Sequence, residues 1–535
     1  MIKRIAATTA AAALVVTGSV AAYAAETPVY MEAVAAGTTL TTLATAGDKF
    51  GNYYLPGIPD GLGAYKQGSN VKVLMNHEIS ASGIAGTITR ANGKTTGTTI
   101  TEFTIDPLTG KVITAKEAIK RVSFYNYKTS KFSTKASAPK SGSVLSDSYG
   151  SYHTNALSRF CSSSFETAGT FAVKVGKKTV GYTGGVYLTG EEVGDEGRGF
   201  GLNSQGELVQ LPRLGLGSWE TFNAVPTGSL KTAVIGTEDG ADNKSELRLY
   251  VGTKTSKGAW YDRAGLNNGK NYVLNIGGIK TDTAYRSIIG KGKATAVNFS
   301  EVDWNQGGAA QNVDTLNGGF GFSAIEDGSF DPMNKNDYYF VQKSSAKDAG
   351  ATSLNPTDPS VIKRDGGALW KLSFVDVKNP LLGATLTLVL DGTEAPYLNM
   401  PDNITVDRSG NILIQEDPGN NAQISRVIAY NIATTKMAVV ARFKDVYFSP
   451  DATLATAKMT EDEESSGIID VTRMFKKNAA DTNSYYLLDA QVHVPTATAR
   501  PDITDATTQA ELLKLVEGGQ LYLMTVADWT AVDFQ

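Results

Sequence analysis

The sequence predicts an all-β protein, and within that class a β-propeller with long inter-strand insertions. Three observations carry this expectation. Short apolar runs bounded by Gly, Pro or Asp recur along the chain, each too short for a helix. Good helix windows are scarce: Ala115 to Val122 is marginal, and Thr508 to Val516 is the best. Several runs also end alike, in a pair of acidic residues. These are Val186 to Glu191-Glu192, Val234 to Glu238-Asp239, Phe322 to Glu326-Asp327 and Ile412 to Glu416-Asp417, with a looser copy from Val73 to Asn76-His77-Glu78. Many short strands in a long-period repeat suit a propeller. Glu238 and Glu326 lie 88 residues apart, and Glu326 and Glu416 lie 90 apart. That exceeds an ordinary blade, so either the blades carry insertions or two blades separate some acidic units. Innermost strands line a propeller's channel, which would bring the carboxylates to one mouth. A pair of β-sandwiches, the rival fold, would scatter them.

Taken in order, the chain opens with Lys3 and Arg4, an apolar Ala-rich run from Ile5 to Val20, and the small-x-small site Ala22-Tyr23-Ala24. This pattern predicts a secretory signal peptide over residues 1–24, and a secreted or periplasmic protein without stable membrane insertion. The 511 residues left (535 minus 24) are expected to form one propeller domain over 25–535. Pro56 to Tyr65 is dense in turn residues and leads into a strand over Val71 to Met75. Another strand follows at Thr99 to Ile105. Residues 125–165, rich in Ser and Lys, read as an insertion. Further strands are expected at Glu207 to Leu211, Thr232 to Asp239, Glu246 to Gly252, Tyr272 to Ile276, Tyr338 to Gln342, Leu369 to Val375, Thr385 to Leu390, Asn403 to Val406, Ile412 to Gln415, Arg426 to Tyr430, Ala438 to Phe443, Ile468 to Val471, Tyr485 to Asp489 and Gln520 to Val526. Trp219-Glu220 reads as core, and Glu461 to Glu464 as a solvated loop with Glu464 its exception.

Composition narrows the function. Lys and Arg total 50 against 54 Asp and Glu, a formal net charge of −4, so no basic footprint for nucleic acid exists. The acidic clusters point to bound hard cations such as calcium, because packed carboxylates repel one another and resist ionisation. Cys161 is the single cysteine. It is a buried apolar thiol, a link to another chain, or a ligand or nucleophile. His77, His153 and His493 are the only histidines, and no Gly-x-Ser-x-Gly elbow is present. His77 divides evenly between fixing a loop and a role in a site.

Several of these stretches together resemble the PhoX-type alkaline phosphatase family. They are Gly57 to Tyr65 followed by Met75-Asn76-His77-Glu78, and Phe160-Cys161 upstream of Leu188 to Glu192. Glu326 to Pro332 follows, then Pro401-Asp402-Asn403 leading through Asp407 and Gly410-Asn411 to Glu416-Asp417. Glu464 to Gly467, Ile469 to Val471 and Asp489 to His493 complete the series. The resemblance implies a secreted propeller of about six blades that hydrolyses phosphate monoesters with iron and calcium. It implies Cys161 as an iron ligand, and Glu192, Glu238, Asp239, Glu326, Asp402 and Glu416 as acidic metal ligands. Asp417 joins them through its acidic pair. Cys161, Glu326, Asn403 and Arg159 are the expected catalytic group, with Asn76, His77, His153 and Asn421 beside the substrate. One departure matters: the family's Arg-Pro before Glu-Asp-Gly is Ala324-Ile325 here. Alanine cannot clamp a phosphate as a guanidinium does. His153 or Arg159 would have to supply the cation. The chain also lacks the twin-arginine leader common among such phosphatases.

The expected function is therefore a metal-dependent phosphoesterase, a monomer acting on a small phosphate ester or another ester. Two alternatives stay open: a non-catalytic, calcium-stabilised binding propeller, and a calcium-dependent esterase or lactonase.

Overall fold

In the computed structural model, residues 26–535 are described apart from 82–87, 91–92, 96, 140, 148–149, 345–365, 420–423 and 449–458. The expected signal segment, 1–24, lies outside them. The fold is the expected all-β propeller with long inter-strand insertions. Six inner strands pack side by side and close a ring: Pro59–Gln67, Phe160–Glu166, Trp219–Ala224, Ile325–Phe330, Pro401–Val406 and Glu463–Asp470. Each begins a blade, numbered one to six in that order. Strands add outward antiparallel, as in blade one with Asn70–His77, Thr99–Ile105 and Val112–Glu117, except in blade two, where Arg121–Asn126 joins Glu207–Gln210 in parallel.

The two ends of the chain meet in the last blades. Thr38–Thr45 forms the outer strand of blade six, paired with Glu517–Val526. Met31–Ala33 does the same for blade five, paired with Lys436–Phe443. Blades three and four are stitched at the rim, where Thr295–Val302 pairs with Ala384–Leu390.

The core is six apolar interfaces, one between each pair of neighbouring blades. Alternate residues of a strand serve opposite neighbours, because successive side chains leave opposite faces. Tyr338 and Phe340 pack toward blade three with Leu249 and Leu274. Tyr339 and Val341 of the same strand pack toward blade five with Ile404 and Ile412. Likewise Tyr485 and Leu487 face blade one, and Tyr486 and Leu488 face blade five. Both faces of these strands are buried, so their sequences read as near-continuous apolar runs.

Three expectations need correction. The run Phe322 to Asp327 is not equivalent to the other acidic units. Those close the second strand of a blade, whereas Glu326-Asp327 opens the inner strand of blade four. Residues 125–165 are not one insertion: they finish an outer strand of blade two, Arg121–Asn126, and contain its inner strand, Phe160–Glu166. Ala115 to Val122 is strand and connection, while a helix does form at Ala506–Leu512. No helix among the described residues is long and apolar enough to cross a membrane.

Candidate metal centre at one channel mouth

All six inner strands start at the same mouth. The second residue of each is Asp60, Cys161, Glu220, Glu326, Asp402 and Glu464. Five carboxylates and one thiol thus occupy equivalent places in the ring. In blades one to five a register shift falls on this residue: Trp219 pairs with Glu238, for example, but the next pairing is Phe222 with Gly236. Such a bulge re-aims a side chain and frees it from ladder geometry.

The ligand atoms are close. Asp60, Glu78 and Cys161 lie within 4.8 Å of one another, as do Cys161, Glu192 and Glu220, and again Glu220, Glu326 and Asp402. The sets share Cys161 and Glu220, so they form one continuous series of donors across blades one to five. All six ring residues are buried. Burial, then neighbouring acids, pushes Cys161, Asp60, Glu220 and Glu326 well above their ordinary pKa values. Asp402 is raised too, by burial first, against the pull of Lys343. Glu220 Oε2, Glu326 Oε1 and Asp402 Oδ1 are buried without a hydrogen-bond partner. Buried polar atoms are ordinarily paired, so these oxygens call for a ligand.

A second tier stands on the solvent side, at the ends of the second strands: Glu78, Glu192, Asp239, Lys343 and Asp417, with His493 in blade six. Two cations divide it. The Arg159 guanidinium bridges Glu78 and Glu192, with Nε 3.1 Å from the Glu192 carbonyl. Lys343 Nζ pairs with Asp417 and lies 3.2 Å from Asp402 and 4.0 Å from Glu326. His493 Nδ1 lies 2.7 Å from Glu517, with Nε2 3.8 Å from Glu464. Beneath the ring, Asn403 Nδ2 donates to Ser162 Oγ at 2.7 Å. Blades five and two are opposite in a ring of six, so this bond crosses the channel and floors the site.

The expected residues therefore separate. Cys161, Glu192, Asp239, Glu326, Asp402, Asp417, Arg159 and Asn403 come together at the mouth. Glu238 and Glu416 do not, because each is the neighbour of a mouth residue and faces the other way. Glu416 is locked to Arg426 at 2.7 and 2.8 Å. Glu238 accepts the Glu246 amide at 3.1 Å. His77 uses both ring nitrogens, on the Gly57 carbonyl at 2.9 Å and Thr101 Oγ1 at 2.6 Å, and burial lowers its pKa to about 4. It fixes a loop. Asn76 lies below the site and donates to the Cys161 carbonyl at 2.5 Å, holding the backbone of the thiol. His153 is paired with Glu196 at 2.8 Å, away from the donor series. Asn421 lies outside the described residues. Sequence reasoning missed Asp60, Glu78, Glu220 and Lys343 as site residues. The signal for the ring was present: an apolar residue or Pro, then an acid or Cys, in Pro59-Asp60, Phe160-Cys161, Trp219-Glu220, Ile325-Glu326 and Pro401-Asp402.

No protein-family model matches the chain, and neither does any curated protein. Among solved structures it is similar to Pseudomonas fluorescens PhoX in complex with vanadate, described as a transition state analogue. That match has a TM-score of 0.57 and 12% identity, and covers 93% of this chain and 96% of that one. At this identity the likeness is one of fold. Far weaker matches include a flat-faced bat subtype N11 neuraminidase-like protein, with TM-score 0.34, 8% identity and 93% and 96% coverage. Another is the polysaccharide lyase Uly1, with TM-score 0.33, 10% identity and 89% and 91% coverage.

Proposed function

We propose that the chain is a metal-dependent phosphoesterase whose reaction takes place at the acidic mouth. One observation carries the reading: five carboxylates and a thiol at equivalent ring positions, three of them with orphaned buried oxygens. Carboxylate oxygens suit calcium, and a thiolate with carboxylates suits iron. Asp60, Glu78, Cys161, Glu192 and Glu220 would hold one group of ions, and Glu220, Glu326 and Asp402 the other. When bound, the metals would supply charge stabilisation for the phosphoryl group and lower the pKa of an attacking water.

The chain's own groups would do the rest. Arg159 and Lys343 flank the ring on its solvent side, where a phosphate would arrive. Arg159 would turn its planar fork to two phosphate oxygens once Glu78 and Glu192 are drawn from it to bound metal, and Lys343 would supply a point charge. Together they answer the loss of the arginine that Ala324 replaces. Cys161 Sγ donates to Asp60 Oδ2 at 3.2 Å, which holds the sulfur beside the carboxylates it would join as a ligand. A secreted or periplasmic monomer acting on a small ester fits this reading.

A second reading also has an observation behind it. Arg159 and Lys343 already neutralise part of the acidic tier, as they would in a calcium-stabilised propeller that binds without turnover. The experiment measures bound iron and calcium on the mature chain, then hydrolysis of p-nitrophenyl phosphate, with Cys161→Ala and Glu326→Gln beside the parent. Turnover that needs metal and is lost in both variants supports the phosphoesterase. Calcium-dependent melting without turnover in the metal-loaded parent overturns it and leaves the binding propeller.

A further inference from the structure

The channel has a second mouth, where the inner strands end. Gly63 to Gln67, Phe165, Thr405-Val406 and Ile469-Asp470 surround a cavity of about 910 Å³ there. That lies within the usual size range of a small-molecule site, roughly 300–1,000 Å³. An adjoining cavity of about 450 Å³ shares Arg408, Asp470 and Arg473 with it and adds Lys476. The Asn403–Ser162 floor separates this mouth from the acidic one.

Its chemistry is the reverse of the first mouth. Six Lys and Arg line the larger cavity against three acids, in a chain of net charge −4. Of the acids, Glu102 is taken by Lys72 at 3.0 Å and Lys116 at 3.1 Å. Glu117 accepts the Ile119 amide at 3.0 Å and the Thr99 hydroxyl. Asp470 accepts the Thr472 amide at 2.8 Å. Lys66, Lys120, Arg408 and Arg473 then have no ion-pair partner within 4.0 Å among the described residues. They stand on several sides of the opening, in or beside blades one, five and six. Between them Tyr65 stacks on Phe165, centroids 4.8 Å apart and planes 16° from parallel, which gives the cavity one flat aromatic wall.

We propose that this far mouth is a second binding site, for an organic polyanion that carries a flat ring. Cations spaced around the opening select for at least two negative charges on the ligand, and the aromatic wall selects for a ring against which to stack. Binding there is independent of the metals and of the acidic ring.

The test uses the full mature chain and pyrenetetrasulfonate as a fluorescent probe. The expected result is saturable binding at one probe per chain, weakening steeply with salt. Arg408→Gln combined with Arg473→Gln raises Kd by about tenfold or more, and Tyr65→Leu raises it as well. These side chains are wholly or partly exposed, so the variants retain the fold, which an unchanged melting temperature verifies. Calcium, and the Cys161→Ala change at the other mouth, leave Kd as it was. Benzenesulfonate, with a ring but one charge, does not compete. The proposal is overturned by an absence of saturable binding, by binding that the far-mouth variants leave intact, or by binding lost in Lys343→Met. Equal competition by benzenesulfonate overturns the polyanion class.

Discussion

The same six strands build both mouths of the channel, yet one end gathers acids and the other gathers bases. Where the strands begin, a bulge in five of them turns one side chain each toward the axis, and the donors come within 4.8 Å in overlapping sets. Where they end, no such convergence occurs, and the space between them opens to about 910 Å³. Like charges at the first mouth are close enough to need a cation. At the second they are spread round a cavity and remain solvated. Proximity, more than residue type, therefore separates a metal-seeking site from a ligand-sized one.

The comparison breaks most decisively at the acidic ring. Cys161→Ala or Glu326→Gln is expected to lower metal-loaded phosphoester turnover on the order of 10³-fold, while probe binding at the far mouth stays unchanged. Paired loss of both functions would show that the two mouths are one site. Next in size is Lys343→Met. Removing this ammonium leaves Asp402, Glu326 and Asp417 uncompensated, so the metal-free chain should lose roughly 1–3 kcal/mol, discounted because the lysine side chain keeps 22% of its surface in solvent. Thermal melts with and without calcium check this: calcium should recover most of the loss, and a calcium-insensitive loss would deny the cation's role.

Gly61→Ala probes the wall between the mouths. A Cβ there would lie 2.5 Å from Ser163 Oγ and 2.6 Å from the Ser162 carbonyl carbon, so blades one and two would have to part. A cost of about 1–3 kcal/mol by denaturant titration is expected. An unchanged midpoint would mean that the strands are not in close contact. The smallest effect lies toward the far mouth, at Glu166. Burial pushes its carboxyl up from 4.5 to about 7, against hydrogen bonds from Ala224 N and Ser164 Oγ. The folded state then binds this proton more tightly than the unfolded state does. Its contribution is present below pH 4.5 and lost as pH rises through about 7. Glu166→Gln should therefore melt higher than the parent above pH 7, by on the order of 1 kcal/mol, with the gap closing in acid. A gap independent of pH would sink the assignment.

Much of the fold was legible in the sequence. Second and third strands such as Val71 to Met75, Tyr338 to Gln342 and Leu369 to Phe374 bury apolar residues on both faces, so their apolar runs declare them. The inner strands of blades one and two hid themselves, whereas Asn403 to Val406 and Ile468 to Val471, which fall on those of blades five and six, read as strands. Phe160–Glu166 holds three serines, and Pro59–Gln67 opens with Pro and two glycines, because a strand lining a polar channel needs no apolar run. That is why residues 125–165 read as an insertion. The site was half legible for a related reason. Each acidic pair announced a strand end, but only one member of a pair can face the mouth: Asp417 does, while Glu416 turns back to Arg426.

By itself, the sequence determined the class of fold, the recurrence of acids at strand ends and the isolation of one thiol, since these follow from local pattern and composition. Tertiary structure alone decided which acids meet. Asp60 and Glu464 are 404 positions apart in the chain and become neighbours because the ring closes between blades six and one. Their phase around the axis is set by inter-blade packing and by bulges. Neither is encoded in the spacing of residues along any one strand.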